Sequence, residues 1–215
     1  MSALPTLYKL LNADGTPANG GKGRPWSLPT SNADGTWAPG KWRTIPARST
    51  LVPCKVGLHL TDARQLLQWS APALFVAETE GEVIARPDKW VARKARLLHP
   101  VEAWNERTLR LFAADCAERV LSIFEARYPN DARPRHAIEV ARLFADGKAT
   151  REELSAASYA ASSAAFYAAY SDAASYAASS AAFSSAYSDA ASAAEEAAER
   201  EWQTLRLLER LGIAV

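Results

Sequence analysis

The chain has 215 residues, of which 48% are hydrophobic and 23% are charged, so its composition is that of a folded globular protein and excludes a wholly disordered one. The formal net charge of +1 conceals an asymmetry, because residues 151–215 carry a net charge of −5 and residues 1–150 carry +6. Two cysteines cannot build a disulfide framework, and three scattered histidines without a Cys-x-x-Cys motif give no recognisable structural zinc site.

The sequence also lacks the apolar segments that membrane insertion and secretion require. No window of about 18 uncharged apolar residues occurs, and the segment MSALPTLYKLLNADG has no apolar core followed by a small-residue cleavage site. We therefore expect no membrane span and no secretory signal, and we expect the protein in the cytoplasm.

The first hundred residues are dense in turn-forming residues. They hold eight of the ten glycines, ten of the twelve prolines and five of the seven tryptophans, which predicts a small β-rich domain with long loops. The segment LYKLL at residues 7–11 predicts the first strand, and the Asn-Ala-Asp-Gly that follows predicts a turn. The five letters NADGT occur at residues 12–16 and again at 32–36, and we favour a structural turn over chance.

Three further elements are predicted before residue 100. A short helix is expected at residues 61–69, and ALFVAETEGEVIA at residues 73–85 predicts a hairpin with its turn at residues 78–81. The segment KWVARKARLL at residues 89–98 alternates apolar and basic residues, as a half-exposed strand does. His99-Pro100 should end that strand.

Beyond Pro100 the apolar period changes from two to nearly four. An amphipathic helix is predicted to run for roughly 25 residues from Trp104, and a second helix should hold Pro134 in its first turn and end at Gly147. Thr-Arg-Glu-Glu at residues 150–153 has the form of a capping box, which predicts the start of a third helix. These patterns predict an α+β protein, with a β-rich head at residues 1–100 and an all-helical domain at residues 101–215.

Residues 151–200 contain 21 alanines and 12 serines but neither glycine nor proline, so they predict helix despite their low complexity. AASYAASSAAFYAAYSD at residues 156–172 is followed by AASYAASSAAFSSAYSD at residues 173–189, a repeat of 17 residues. At 100° per residue, three aromatic side chains of each copy fall within about 40° of one another. The candidate helix-interface residues are Tyr159, Phe166 and Tyr170 in the first copy and Tyr176, Phe183 and Tyr187 in the second.

The repeat leaves two questions open. Seventeen residues rotate the second aromatic stripe by about 100° from the first, so one long helix offers them to different neighbours or the helix breaks near Asp172 and Asp189. Small alanine and serine side chains allow another helix to approach closely, and a helix with so few charges needs such a partner. That partner is either another helix of the same chain or a separate molecule, including a second copy.

Both halves of the chain resemble known families. The segments LYKLL, LVPCKVGLHL, ALFVAETEGEVI, the pair Asp88-Lys89 and WVARKARLL resemble an uncharacterised domain at the N-terminus of phage and bacterial proteins, over about residues 6–105. The segments NERTLRLFAADCAERVL and YPNDARPRHAIEVARLFADG, with the alanine-rich run, resemble an all-helical domain described as a putative immunity protein. This resemblance implies an immunity or anti-defence role in a bacterial host cell or a phage-infected cell. Related tails carry arginine with the alanine, whereas this one carries serine and tyrosine, and neither family implies a catalytic residue.

No arrangement of residues along the chain indicates catalysis. His59, His99 and His136 have no nucleophile or carboxylate at a recognised spacing, and Cys54 and Cys116 lie among apolar residues, where a free cysteine is usually a small buried hydrophobe. No phosphate-binding loop, dinucleotide fingerprint or zinc-protease motif occurs. We therefore expect no enzyme, no metal site and no cofactor, although a site assembled only by folding leaves no local motif.

A basic stretch that contains tryptophans suggests an alternative function. Seven basic residues and two acidic ones lie between positions 9 and 55, and basic residues interleaved with aromatic ones suit an anionic ligand with stackable bases. The candidate nucleic-acid contacts are Lys22, Arg24, Trp26, Trp37, Lys41, Trp42 and Arg43. The simpler explanation is that the tryptophans pack the β-rich head. The sequence thus predicts a non-enzymatic protein that binds a protein partner or itself, with a nucleic-acid-binding module as the alternative.

Overall fold

The computed structural model describes residues 4–18, 20–21, 23–69, 71–171 and 190–214. A β-rich region is followed by helices from Glu106, so the predicted α+β class is confirmed. The candidate residues Lys22, Tyr176, Phe183 and Tyr187 lie outside the described residues, and so does the question of a break near Asp172 and Asp189.

The sheet of the first region closes on itself. The strands are β1 (Leu7–Leu11), β2 (Thr30–Ser31), β3 (Trp37–Ala38), β4 (Arg43–Thr44), β5 (Leu58–Asp62), β6 (Ala73–Ala85) and β7 (Trp90–Pro100). Strand β7 pairs with β5, β5 with β1, β1 with β6 and β6 again with β7, all antiparallel, while β4 adds to β7 and β2 pairs with β3. A closed sheet has few exposed edges to protect.

The expected hairpin at residues 73–85 is wrong, because β6 is one continuous strand. Its turn comes later, where the Arg86 amide donates to the Lys89 carbonyl oxygen at 2.8 Å. Pairing runs from Glu80 opposite Lys94 to Val83 opposite Ala92, so one extra residue is accommodated in β6. Gly81 lies within this bulge at a φ of 79°, where glycine meets no Cβ clash. The glycine that suggested a turn therefore permits a bulge.

The core of the closed sheet follows from the alternation of the strands. Leu7 and Leu11 of β1 are buried with Leu58 and Leu60 of β5, together with apolar residues of β6 and β7. Because side chains two positions apart share a face of a strand, Lys9 lies on the same face as Leu7 and Leu11. A lysine therefore occupies a position of β1 that faces the core.

The two NADGT segments form the same turn, as favoured from the sequence. Asp14 Oδ1 accepts hydrogen bonds from the Thr16 amide at 2.9 Å and hydroxyl at 2.6 Å, and Asp34 Oδ1 accepts the same pair from Thr36. The second copy joins β2 to β3. The expected short helix is present as a 3-10 helix, Ala63–Gln68, which a capping box at Asp62 begins.

Four α-helices make up the rest of the described chain. They are α1 (Glu106–Arg127), α2 (Arg133–Ala145), α3 (Arg151–Ser171) and α4 (Ala190–Leu211). The predicted capping box begins α3, since the Thr150 amide donates to Glu153 Oε2 at 2.7 Å and the Glu153 amide donates to Thr150 Oγ1 at 3.1 Å. Within the ranges given above, no helix has the length and apolar character needed to cross a membrane.

Contacts within the chain form two compact units. Met1–Asn105 and Leu207–Val215 make up the first, and Glu106–Arg206 makes up the second. In the second unit, α2 packs against both α1 and α3. Ala114 and Leu121 of α1 and Ile138 of α2 form a buried apolar cluster there.

Candidate functional site

The predicted nucleic-acid contacts are distributed over more than one place in the first unit. Arg24, Trp26 and Arg43 come together: the Arg43 guanidinium lies 5.3 Å from the centroid of the Trp26 ring and donates from Nη1 to the Arg24 carbonyl oxygen at 2.7 Å. The Trp26 side chain is only 6% exposed and belongs to the core. Lys9 Nζ lies 5.6 Å from the same ring centroid. The Trp26 ring thus packs in the core, and two cationic side chains, those of Lys9 and Arg43, lie close to it.

The other candidate contacts have different surroundings. The half-buried Trp42 ring has Lys94 Nζ and the Arg96 guanidinium each 4.6 Å from its centroid. Lys41 is exposed, and Trp37 is half-buried in β3. The Trp42 ring thus lies beside two cations of β7. Contact of these residues with nucleic acid stays a prediction.

A cavity of about 630 Å³ lies in the same unit, beside the strands β1 and β5. These strands pair only at Leu7 with Asp62 and at Tyr8 with Thr61. Beyond Tyr8 they separate, and Lys9 Nζ crosses to the carbonyl oxygen of His59 at 2.8 Å. The charged and titratable side chains among the described residues of its lining are Tyr8, Lys9, Cys54, Lys55, His59 and Lys89.

Burial makes Lys9 an unusual lysine. Desolvation, followed by repulsion from the Arg43 charge, lowers the pKa of Lys9 to about 8. Among the described residues no carboxylate lies within ion-pair distance of its ammonium group, which contacts a carbonyl oxygen and the Trp26 ring instead. At neutral pH the protein therefore holds a partly buried cation against its solvation preference.

His59, Cys54 and Lys89 form a connected group on the cavity wall. The Cys54 amide donates to His59 Nε2 at 3.0 Å, and Lys89 Nζ donates to Cys54 Sγ at 3.2 Å. Lys89 also forms an ion pair with Asp88 at 2.7 Å and lies 5.4 Å from the centroid of the Trp69 ring. Because Nε2 accepts a hydrogen bond, the neutral His59 ring carries its proton on Nδ1.

Electrostatics favour the neutral form of this ring. Burial, and then the charges of Lys9 and Lys89, lower the pKa of His59, so its ring is neutral near pH 7. The hydrogen bond from Lys89 to Asp88 raises the pKa of Lys89, so this lysine stays charged. Lys9 and Lys89 thus place two ammonium groups beside a neutral imidazole, and Lys55 lines the same cavity.

Cys54 does not match its expected environment. The apolar run predicted a buried thiol, but Cys54 is exposed, and its φ of 65° lies in the left-handed region. No other non-glycine residue in the described ranges has a positive φ. A tight turn explains the conformation, since the Val52 amide donates to the Val56 carbonyl oxygen at 2.8 Å and the reverse bond measures 2.7 Å. Cys116 is half-buried, and burial raises its pKa.

In the second unit, the small residues and the tyrosine of α3 have different surroundings. Ala157 and Ala164, seven positions apart and therefore on one face, are both buried, with Ala164 only 1% exposed. Tyr159, the first of the predicted interface residues, is 77% exposed. Small residues thus line the packed face of α3, while Tyr159 projects into solvent. For Phe166 and Tyr170 the structure describes the backbone of α3 alone.

A depression of about 840 Å³ lies beside α3. It is lined by the α1–α2 connection, including Tyr128, Pro129 and Asn130, and by Ala160, the neighbour of Tyr159 in α3. Elsewhere in this unit, Ile123 of α1 is 74% exposed. The helical unit therefore has a concave surface near an exposed tyrosine, and an exposed isoleucine that does not line this surface.

The interior of the helical unit contains a buried carboxylate, which the sequence analysis did not identify. The Asp115 side chain is 5% exposed and forms ion pairs with Arg142 of α2 at 3.0 Å and Arg206 of α4 at 2.8 Å. Its spacing of four from Leu111 was the available signal, because it places an acid on the apolar stripe of α1. The alternation of LYKLL was the equivalent signal for Lys9.

Across the described residues, no group of three or more His, Cys, Asp and Glu side chains is arranged to hold a metal ion. His99 and His136 are exposed, and His136 Nδ1 lies 4.0 Å from Glu139 Oε2. Neither of these two histidines lines the cavity of the first unit.

Comparison with known proteins gives one match. The model of a family described as "Imm-5 like putative immunity protein" matches residues 99–210, a range that begins at the end of β7 and extends into the last turn of α4. No curated protein and no solved structure matches the chain.

Proposed function

The chain belongs to the Imm-5 like putative immunity protein family, and from this membership we propose that it is a non-enzymatic immunity protein that acts by binding another protein. The matched range contains the four α-helices of the described residues, apart from the last residue of α4, so we place the binding surface in the helical unit. A role in conflict between phage and host is the finer part of this proposal, and it rests on the resemblance of residues 6–105.

One observation carries the choice of surface. The small-residue face of α3, with Ala157 and Ala164, is already buried within the chain, whereas Tyr159 of the same helix is 77% exposed. A tyrosine combines a large rigid apolar area with a polar hydroxyl and loses little side-chain entropy when it is buried, which is why tyrosine is enriched at binding hot spots. The exposed face of α3 is therefore the proposed contact surface for the partner.

The surroundings of Tyr159 suit a protein better than a small molecule. The adjoining depression is broad and includes Pro129 and Tyr128, so a side chain of a partner can enter it while Tyr159 packs on the partner's surface. If the partner covers both Tyr159 and this depression, the interface has a well-packed, buried centre, which is typical of stable protein–protein interfaces. The predicted stripe continues the surface through Phe166 and Tyr170.

Self-association is a second candidate, favoured by the same exposed residue. A helix with few charges and an outward aromatic stripe fits another copy of itself as well as a different protein. Light scattering on the purified chain separates the two: a mass of 23.3 kDa supports a separate partner, and a multiple of it supports self-association.

Affinity capture from the natural host tests the proposed function, with the full chain as bait. The informative variant is Tyr159→Glu, which places a charge at the centre of the proposed surface. Ile123→Glu is the matched control, because Ile123 is 74% exposed and the substitution introduces the same charge elsewhere on the helical unit. Wild type and Ile123→Glu should retain the same partner, identified by mass spectrometry, and Tyr159→Glu should lose it.

Two results would overturn the proposal. Equal capture by all three baits would remove α3 as the surface. If the wild type retains no protein beyond those that an unrelated bait also retains, the proposal of protein binding itself is wrong.

A further inference from the structure

The separation of β1 from β5 opens the first unit to solvent at a position that the proposed immunity function does not use. Lys9 and Leu10 lie on one side of the cavity, and His59 and Leu60 lie on the other. In a regular antiparallel pair these residues would continue the ladder from Tyr8 and Thr61. The cavity of about 630 Å³ replaces that pairing and is large enough for a small-molecule ligand.

Lys9 is the central group of this cavity. It occupies a core-facing position of β1, yet it lines the cavity, and its ammonium group makes one hydrogen bond, to the His59 carbonyl oxygen, among the described residues. An ammonium group has three donor hydrogens, so two of them are available for a ligand. Burying a cation without a carboxylate costs free energy, and such a cost is expected where the charge serves a function.

The rest of the wall adds positive charge and donors. Lys89 and Lys55 also line the cavity, and the described part of its lining contains no aspartate or glutamate. Asp88 neutralises Lys89 in part, at 2.7 Å. His59 is neutral and carries its proton on Nδ1, because the Cys54 amide occupies Nε2. Two lysines beyond the one that Asp88 pairs give the cavity a net positive charge.

The type of cation indicates the type of anion. Lysine binds an anion as a point charge, and a phosphate group, which carries about −1.5 to −2 at neutral pH, gains more from several lysines than a carboxylate with a single charge. The described lining has three lysines and no arginine. Gly20 also lines the cavity, and a Cβ at this position would have no neighbour within 4 Å, so a bulky tetrahedral anion can approach the backbone there.

We propose that this cavity is a binding site for a small phosphate-bearing molecule, whose phosphate contacts the ammonium group of Lys9. Lys89 and Lys55 would add attraction at the wall, and the apolar part of the ligand would lie against Leu10 and Pro17, which line the same space.

Calorimetric titration of the full chain with inorganic phosphate and with phenyl phosphate tests the proposal, at constant ionic strength. The decisive variant is Lys9→Met, which removes the charge and keeps an unbranched side chain of similar length. Lys148→Met is the matched control, because it removes the same charge from an exposed lysine that does not line the cavity. Phenol is the control ligand without the anion. Thermal unfolding of each variant checks that it is folded.

Wild type and Lys148→Met should bind phenyl phosphate saturably and with the same affinity, and phenol should not bind. Lys9→Met should bind about 10- to 100-fold more weakly, the effect of losing a hydrogen bond to a charged group. A second variant, Lys89→Met, should weaken binding by a smaller factor. Equal affinity in Lys9→Met and wild type would overturn the proposal, and so would the absence of saturable binding of either phosphate to wild type.

Discussion

Asp115 Oδ2 accepts a hydrogen bond from Arg206 Nε at 2.8 Å, which joins two residues that lie 91 positions apart. The other carboxylate oxygen accepts from Arg142 Nη2 at 3.0 Å. One buried carboxylate of α1 therefore ties the helices α2 and α4 to α1. Both arginines remain about a third exposed, so water still solvates part of each guanidinium.

We predict that Asp115→Asn destabilises the helical unit. The amide carries no charge, so Arg142 and Arg206 both lose their ion pair with the buried carboxylate, while Arg142 keeps its pair with Glu118 at 2.6 Å. The expected loss is about 2–4 kcal/mol, because the exposure of the arginines reduces the full penalty. Urea unfolding of the full chain, followed by circular dichroism at a helical wavelength, measures it.

Asp131→Asn is the control for this experiment. Asp131 pairs with Arg133 two residues away on the surface, at 2.6 Å, and its loss should leave the stability nearly unchanged. Equal stabilities of the two variants would show that Asp115 does not hold the three helices together.

The second prediction concerns the pH dependence caused by Lys9. Burial lowers the pKa of Lys9 from 10.5 to about 8, so between these values the unfolded chain carries a proton that the folded protein has released. The unfolded state then binds more protons, and the free energy of unfolding rises with pH through this window. The expected gain is at most about 3 kcal/mol.

Chemical unfolding at a series of pH values from about 7 to 10.5 measures this effect against Lys9→Met, which lacks the titrating group. The stability difference between Lys9→Met and wild type should favour the variant most near pH 7 and shrink as the pH rises. A difference that is independent of pH would show that the pKa of Lys9 is normal in the folded protein.

Much of the fold follows from local pattern. The LYKLL strand, the alternating strand before Pro100, the capping box at Thr150 and the helical period after Trp104 are all present as expected. Each depends on residues close together in the sequence, where dihedral preference and side-chain period decide the outcome. Gly81 shows the limit of this reasoning, because a turn and a bulge both need a positive φ, and only the pairing partner β7 distinguishes them.

The candidate sites were less accessible from the sequence. The cavity exists because β1 and β5 separate after Tyr8, which depends on contacts between residues 50 or more positions apart. Neither His59 nor Cys54 carries a local signal for its partner, since their hydrogen bond needs the turn at residues 52–56. Tyr159 was predicted as an interface residue from the aromatic pattern alone, whereas its exposure depends on how α2 packs against α3.

The third prediction separates the two faces of α3. Ala164→Arg should strongly lower the melting temperature, because Ala164 is 1% exposed and the arginine would be both too large and unpaired. Tyr159→Glu should melt close to wild type, since the exposed position tolerates a charge. Differential scanning calorimetry of both variants tests this. The reverse order of melting temperatures would place the packed face of α3 on the tyrosine side.

The fourth prediction concerns nucleic acid. We expect no retention of the chain on single- or double-stranded DNA or RNA at about 50 mM salt, because the Trp26 ring is buried and therefore not free to stack on bases. The alternative function predicts retention that falls with salt. Under it, replacing Lys22, Arg24, Lys41 and Arg43 with glutamine should flatten the slope of log affinity against log salt by about 0.7–0.9 per lost contact. Measured retention with that flattening would support nucleic-acid binding over protein binding.

Native mass spectrometry of the purified chain with its captured partner tests the central claim, that the protein acts by binding and not by catalysis. We predict a complex whose mass is that of the partner plus the 23.3 kDa chain in a fixed ratio, with each component recovered at its original mass after dissociation. Tyr159→Glu should abolish the complex and Ile123→Glu should preserve it. A partner that leaves the mixture with an altered covalent mass, without a stable complex, would contradict the claim.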